Sequence, residues 1–196
     1  MRITAGYARG ILLNSPTSSA TRPATDAARL ALFSSLGEVV EGARVLDIFA
    51  GTGAYGLEAV SRGAKSAVFV ENAPQAFAVL KSNITLLKKT CKAQMTPIMS
   101  DALKCSRLAE AQNFDFVFAD PPYALLQNKK FSQKLYALFA ALAESGATIM
   151  LEAPAEYEIP EEFSPSFEIL KRLGKKSKGK PSQLIFAKAQ EPQAEQ

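Results

Sequence analysis

Between Arg44 and Leu151 the chain repeats one pattern, a short apolar run followed by a turn and a longer segment of helical spacing. The apolar runs are Val45–Phe49, Ala67–Glu71, Met95–Met99, Phe114–Ala119 and Ala147–Leu151. Helices are expected from the glycines after Phe49 to about Arg62, from Pro74 to about Lys89, and over Phe131–Ala143. Pro74 suits a first-turn position because the missing N–H has no helical partner there anyway. This βαβα alternation predicts a mostly parallel sheet covered by helices on both faces.

The flanks read differently. After Pro154 two β-like runs, Phe167–Leu173 and Gln183–Lys188, predict an antiparallel pair at the sheet edge, which makes seven strands. Residues 2–13 alternate weakly around Gly6 and Gly10 and suggest a small β-hairpin. Residues 14–24 form a polar loop, expected to be mobile, before Thr25 or Asp26 caps a helix to about Leu36. Ala28, Leu32, Phe33 and Leu36 give that helix its apolar face. The expected organisation is a hairpin and flexible loop over 1–24, one main domain over 25–189 and a polar tail over 190–196.

Composition narrows the chemistry. The 196 residues are 47% hydrophobic and 21% charged, enough for one domain with a proper core. The longest apolar run, around Leu135–Ala143, is too short to span a bilayer, and MRITAGYARG has no apolar signal core. A cytoplasmic monomer with no membrane partner is expected. Cys91 and Cys105 are too far apart for a CxxC motif and are expected to be reduced.

The chain has no histidine, which removes Ser-His and Cys-His nucleophile pairs, an imidazole base and His-ligated zinc. Its chemistry must use carboxylates, backbone groups and aromatics, or a cofactor that carries the difficult step; no metal is expected. The net charge of +4 is modest but unevenly spread. Arg2, Arg9, Arg22 and Arg29 face the single acid Asp26 in the first 29 residues, and residues 171–180 carry six basic side chains and no acid. Such clusters attract phosphate backbones, although solvated loops carry lysines as well.

Gly51-Thr52-Gly53-Ala54-Tyr55-Gly56 fits GxGxxG, follows a strand, opens a helix and has Glu71 twenty residues beyond Gly51. An acid there accepts hydrogen bonds from ribose hydroxyls. A nicotinamide dinucleotide would use a similar loop, and Asp47 decides between the two. A carboxylate aimed at the loop repels a pyrophosphate but suits a cationic amino group and a sulfonium. Asp101, after the third strand, can accept from an adenine amino group or cap a helix over 102–110. The set fits S-adenosylmethionine better than NAD.

Asp120-Pro121-Pro122-Tyr123 closes the fourth strand. Asp120 precedes a proline and is confined to extended backbone. Its carboxylate and the Pro121 carbonyl then form a rigid pair of acceptors, and Tyr123 offers a face for stacking. Two acceptors gripping an exocyclic amine orient a nitrogen whose lone pair is delocalised into the base. Positioning is then the main catalytic task. The base must leave its stack, and an aromatic platform offsets part of that cost at roughly 1–3 kcal/mol.

The order Asp47-Ile48-Phe49-Ala50-Gly51-Thr52-Gly53, Glu71 and Asp120-Pro121-Pro122-Tyr123 resembles the class I amino-methyltransferases. Arg2-Ile3-Thr4-Ala5-Gly6 and Arg22-Pro23-Ala24-Thr25-Asp26, with Arg29, Leu32 and Phe33, resemble the RsmD-type 16S rRNA guanine-N2 methyltransferases, over about residues 2–188. Leu30 departs from that pattern, which usually has an acid there.

The resemblance implies an α/β, Rossmann-like methyltransferase fold with S-adenosyl-L-methionine as donor. It implies that Asp47, Phe49, Gly51, Gly53, Glu71, Asn72, Asp101 and Ala102 hold the cofactor. Asp120, Pro121 and Tyr123 would be catalytic, and Arg2, Arg9, Arg22, Thr25 and Pro122 would face the substrate. That substrate would be a guanine of 16S rRNA in the small ribosomal subunit, at a site of the 966 type. N6-adenine methylation of DNA or RNA and a ribosome-assembly RNA-binding protein with little turnover are the alternatives. NAD-dependent redox is a more distant one.

Overall fold

The computed structural model describes residues 1–15, 26–105, 113–174 and 178–189. Seven strands form one sheet: β1 Arg44–Ile48, β2 Ser66–Glu71, β3 Gln94–Met99, β4 Phe116–Ala119, β5 Thr148–Pro154, β6 Phe167–Leu173 and β7 Pro181–Lys188. Their order is β3-β2-β1-β4-β5-β7-β6. The first five run parallel; β7 pairs antiparallel with β5 and β6, as the two β-like runs after Pro154 predict. Pro97 sits inside β3 without breaking a central ladder because β3 is an edge strand.

The helices are α1 Asp26–Leu36, α2 Ala54–Ser61, α3 Pro74–Leu87, α4 Tyr123–Leu126 and α5 Lys129–Glu144. Alternate residues of each strand enter two cores, one per face. On the first, Leu32, Phe33, Leu57, Leu80 and Ile84 of α1–α3 pack on Val45, Phe69, Phe118, Met150 and Ile185. On the second, Leu135, Phe139 and Leu142 of α5 pack on Leu46, Val117, Ile149, Leu151 and Phe186. Among the described residues no helix is long and apolar enough to cross a membrane.

The N-terminal segment folds back on itself in place of a full two-stranded hairpin ladder. Backbone bonds join Ile3 to Ile11 and Gly10, and Leu13 to Met1, but only Arg2 and Leu12 form a β bridge. The segment uses its remaining polar groups on α2 instead. Tyr7 N–H donates to the Ser61 carbonyl at 2.7 Å, filling a helix-end acceptor. Gly6 approaches so closely, at φ +79°, that a Cβ would lie 1.8 Å from the same carbonyl oxygen. Glu58 of α2 accepts from Thr4 N–H, Thr4 Oγ1 and Ala5 N–H, and pairs with Arg29 and Arg62. Ile3, Ala8 and Leu13 are buried, so this segment is part of the main core.

Candidate active site

The parallel strands end along one edge, where ligands bind in open α/β sheets. Strand pairing fixes which side chains share a face there. Asp47 pairs with Phe69 on β2 and Phe118 on β4, and Ala119 pairs with Leu151 on β5. Two-residue alternation therefore puts Glu71, Asp47, Asp120 and Glu152 on the α1–α3 face as a row of four acids. Gln183, paired with Glu152, extends the row onto β7.

Three glycines shape the turn above β1, each for a different reason. Gly51 has φ +55°, and a Cβ there would meet nothing within 4 Å, so the space before the loop is open. Gly53 is left-handed, at φ +85°, and a Cβ would press on the Leu80 and Leu57 side chains. At Gly56 a Cβ would lie 2.4 Å from Phe69, so the missing side chain lets α2 lie against β2. Phe49 is the one non-glycine with positive φ among the described residues, at 59°. That strained backbone turns the chain out of β1 into the loop.

Asp47 does more than face the loop. Its Oδ2 accepts the Gly56 N–H at 2.8 Å and so caps α2, whose own N-cap, Gly53, has no side chain to do so. The Asp47 carboxyl is pushed up to about 8, chiefly by burial and further by the Glu71 charge, against the pull of that N–H. Glu71 accepts from Gly51 N–H and from Ala73 N–H, both at 2.7 Å, which orients it beneath the open space. A carboxylate offers about four acceptor positions, so capacity remains for ribose hydroxyls. Asp101 caps a short 3-10 turn, Ala102–Lys104, through the Leu103 N–H at 3.0 Å. The turn stands in place of the start of a longer helix; residues 106–112 lie outside the described part. Asn72 is exposed and Ala102 buried beside these acids.

These features fit the expected methyl donor. An open space over Gly51 is flanked by a ribose-type acceptor, Glu71, and by an acid, Asp47, suited to an amino cation. Asn83, fully buried in α3, donates to the Thr52 carbonyl and to Asn14, fastening the N-terminal segment to the glycine turn.

At the next strand Asp120 is half-buried, Pro121 buried and Pro122 exposed. Pro122 is the N-cap of α4, and its carbonyl accepts from Leu125 N–H at 2.8 Å. The Pro121 carbonyl therefore lies ahead of the helical ladder. Tyr123 opens α4, and its hydroxyl donates to Glu152 Oε1 at 3.4 Å. Burial raises the Asp120 carboxyl well above the usual range, and the Glu152 and Asp47 charges add to this.

Sequence reasoning missed Glu152, Tyr55 and Gln183. The Tyr55 ring stacks on Phe118 at 5.6 Å and its hydroxyl donates to Glu152 Oε2 at 2.5 Å, while Gln183 Nε2 donates to the Tyr55 hydroxyl at 3.2 Å. The available signal was an acid inside the apolar run of β5. Burial raises the Glu152 carboxyl, and the Tyr55, Tyr123 and Gln183 donors oppose the shift.

The expected substrate residues are scattered. Arg9 lies on the turn over Ser61, at the far end of α2, about 12 Å of helix from the glycine turn. Arg2 is exposed near Asp26. Arg22 and Thr25 lie outside the described residues. Arg29 is fully buried between Glu58 and Asp26, a strut that joins α1 to α2.

With this geometry in place, residues 1–186 match the family described as "Conserved hypothetical protein 95". The chain belongs to this family. The Bacillus subtilis protein YlbH is 34% identical over 168 residues, covering 82% of this chain and 86% of its own length. Ribosomal RNA small subunit methyltransferase D of Escherichia coli (strain K12) is 39% identical over 124 residues, covering 63% of this chain and 60% of that protein. The solved structure of Escherichia coli yhhF superposes with a TM-score of 0.74 at 28% identity, covering 96% of this chain and 97% of that one. The chain is an RsmD-type methyltransferase with the Rossmann-like fold of its relatives.

Proposed function

We propose that this methyltransferase transfers the methyl group of S-adenosylmethionine to the exocyclic N2 of one guanine in small-subunit rRNA. The observation that carries the reading is the Asp120–Pro121 acceptor pair beside the open space over Gly51, on the same edge as Glu71. The match to a ribosomal RNA small subunit methyltransferase supports rRNA as the substrate class. The bound donor would supply a methyl group activated on a sulfonium, with a neutral thioether as the leaving group.

The chain's own residues then have separate tasks. Glu71 holds ribose hydroxyls and Asp47 the donor's amino group, with Asp101 near its adenine. Asp120 and the Pro121 carbonyl accept the two hydrogens of the amine and point its nitrogen at the methyl group. Tyr123 stacks on the flipped base.

The test is incubation with labelled S-adenosylmethionine and unmodified small ribosomal subunits, followed by digestion and mass spectrometry of the nucleosides. N2-methylguanosine at one site is expected. N6-methyladenosine would keep the site and overturn the target. No label, with measurable cofactor binding and active controls, would favour an assembly factor.

A further inference from the structure

We infer that Glu152 is a positioning residue for methyl transfer, one that keeps a negative charge beside Asp120 and so strengthens Asp120 as acceptor of the proton the methylated amine must lose. The inference rests on the reading of Asp120 as the acid that grips the base.

Placement comes first. Ala119 and Leu151 are Cα partners on parallel strands, so Asp120 and Glu152 follow side by side on one face, on strands about 4.8 Å apart. Glu152 is held from several elements. Tyr55 of α2 donates to one oxygen and Tyr123 of α4 to the other, and Gln183 of β7 fixes the Tyr55 hydroxyl. Tyr55 is in turn fixed by its stacking on Phe118. Burial raises the Glu152 carboxyl, and these hydroxyl donors oppose that shift and favour its ionised form.

Asp120 has no such cradle among the described residues. The titratable groups facing it are Asp47 on β1, Glu152 on β5 and Tyr55 on α2, with Tyr123 of α4 on the far oxygen of Glu152. Burial and both acids raise its affinity for a proton. Tyr55 is itself pushed above its ordinary value by burial, Glu152 and Asp120, so it stays a neutral donor. The two carboxyls thus divide the work, Glu152 holding charge and Asp120 taking protons.

The step balances on these groups. The amine lone pair forms the new N–C bond as the C–S electron pair leaves on sulfur. The extra N–H bond then returns its electrons to nitrogen, and its proton passes to an Asp120 oxygen. Release of that proton to water restores the carboxylate. A base of higher proton affinity takes the proton more readily.

A purely structural Glu152 could be replaced by glutamine, which keeps the shape and an acceptor for Tyr55. The test therefore compares wild type, Glu152→Gln and Glu152→Asp. Turnover on small subunits is followed from pH 5.5 to 9, and the carboxyls of the apoprotein are titrated by carbon-13 NMR. Asp120→Asn assigns the Asp120 signal, and thermal melts establish folding.

In Glu152→Gln the Asp120 midpoint should fall by about one unit or more. The acidic limb of the rate profile should move down with it, while plateau turnover drops about three- to tenfold. Glu152→Asp should restore the wild-type limb. An unmoved Asp120 midpoint overturns the inference whatever the substrate proves to be. So does a uniform loss of rate at unchanged pH dependence, or a rise in KM alone. A wild type that methylates no guanine, yet shows the Asp120 shift in Glu152→Gln, would instead overturn the proposed substrate and leave the coupling standing.

Discussion

Replacing Asp47 with asparagine should make the protein more stable and a worse binder of its methyl donor. Asp47 is 2% exposed, and its carboxyl is raised from an ordinary 3.8 to about 8. Between those values the native state holds a proton that the unfolded chain has released. Stability contributed by Asp47 is therefore full below about pH 4 and is lost as pH rises toward 8. The span of 4.2 units sets a ceiling of about 6 kcal/mol at about 1.36 kcal/mol per unit. Local relaxation and water entry reduce such costs, so about 2–3 kcal/mol is expected at pH 8.

Asparagine keeps an oxygen for the Gly56 N–H, so the cap on α2 survives. Thermal melts from pH 4 to 8.5 should give matching midpoints for both proteins at the acid end. At pH 8 the variant should melt about 5–10 °C higher, given about 2–4 °C per kcal/mol for a chain of this size. Above the Asp47 midpoint, at pH 8.5, affinity for S-adenosylmethionine should fall about tenfold or more with the charged acceptor gone. Parallel melting curves across the range, or a variant less stable at pH 8, would refute the assignment of a strained acid to this site.

Other substitutions separate binding, chemistry and stability. Asp120→Ala should leave cofactor affinity within about threefold and lower turnover about a hundredfold or more; equal loss of both would remove Asp120 from the chemistry. Glu58→Ala removes the buried one of Arg29's two acid partners and should cost about 3–5 kcal/mol, lowering the melting point by about 10 °C; a shift under about 3 °C would contradict the buried network. Gly56→Ala drives a Cβ into Phe69 and should destabilise by about 1–3 kcal/mol. Gly51→Ala meets no neighbour but must hold φ +55°, so it should cost about 1 kcal/mol of stability and also weaken titrations with the methyl donor.

The parallel part of the sheet was legible because each strand and its helix are contiguous in sequence and carry their own periodicity. Phe167–Leu173 was read with its observed bounds, and α3 and β1 to within about two residues. The acids after the strands were legible for the same reason, since a strand end is a local feature. What was hidden depends on distant partners. Tyr55 meets Glu152 across 97 positions and Gln183 across 128. No local pattern announces such a meeting. Arg29 looked like part of a basic surface, but its partner Glu58 lies 29 residues away and turns it into a buried strut. The N-terminal alternation carried the fold-back of residues 1–13 but says nothing of Ser61, whose carbonyl takes the Tyr7 N–H at its turn. The short helix opened by Tyr123 was not expected; Pro122, with its missing N–H, is a good start for it.

The clasp between the first residues and α2 also bears on how the chain folds as it is made. Ala8 waits 53 positions for Ser61, and Asn14 waits 69 for Asn83. At about 10 residues per second, Ile3 and Leu13 leave the ribosome several seconds before the surface that covers them. A segment made before α2 and α3 is therefore secured only after them, and the chain spends that interval with Ile3, Ala8 and Leu13 uncovered.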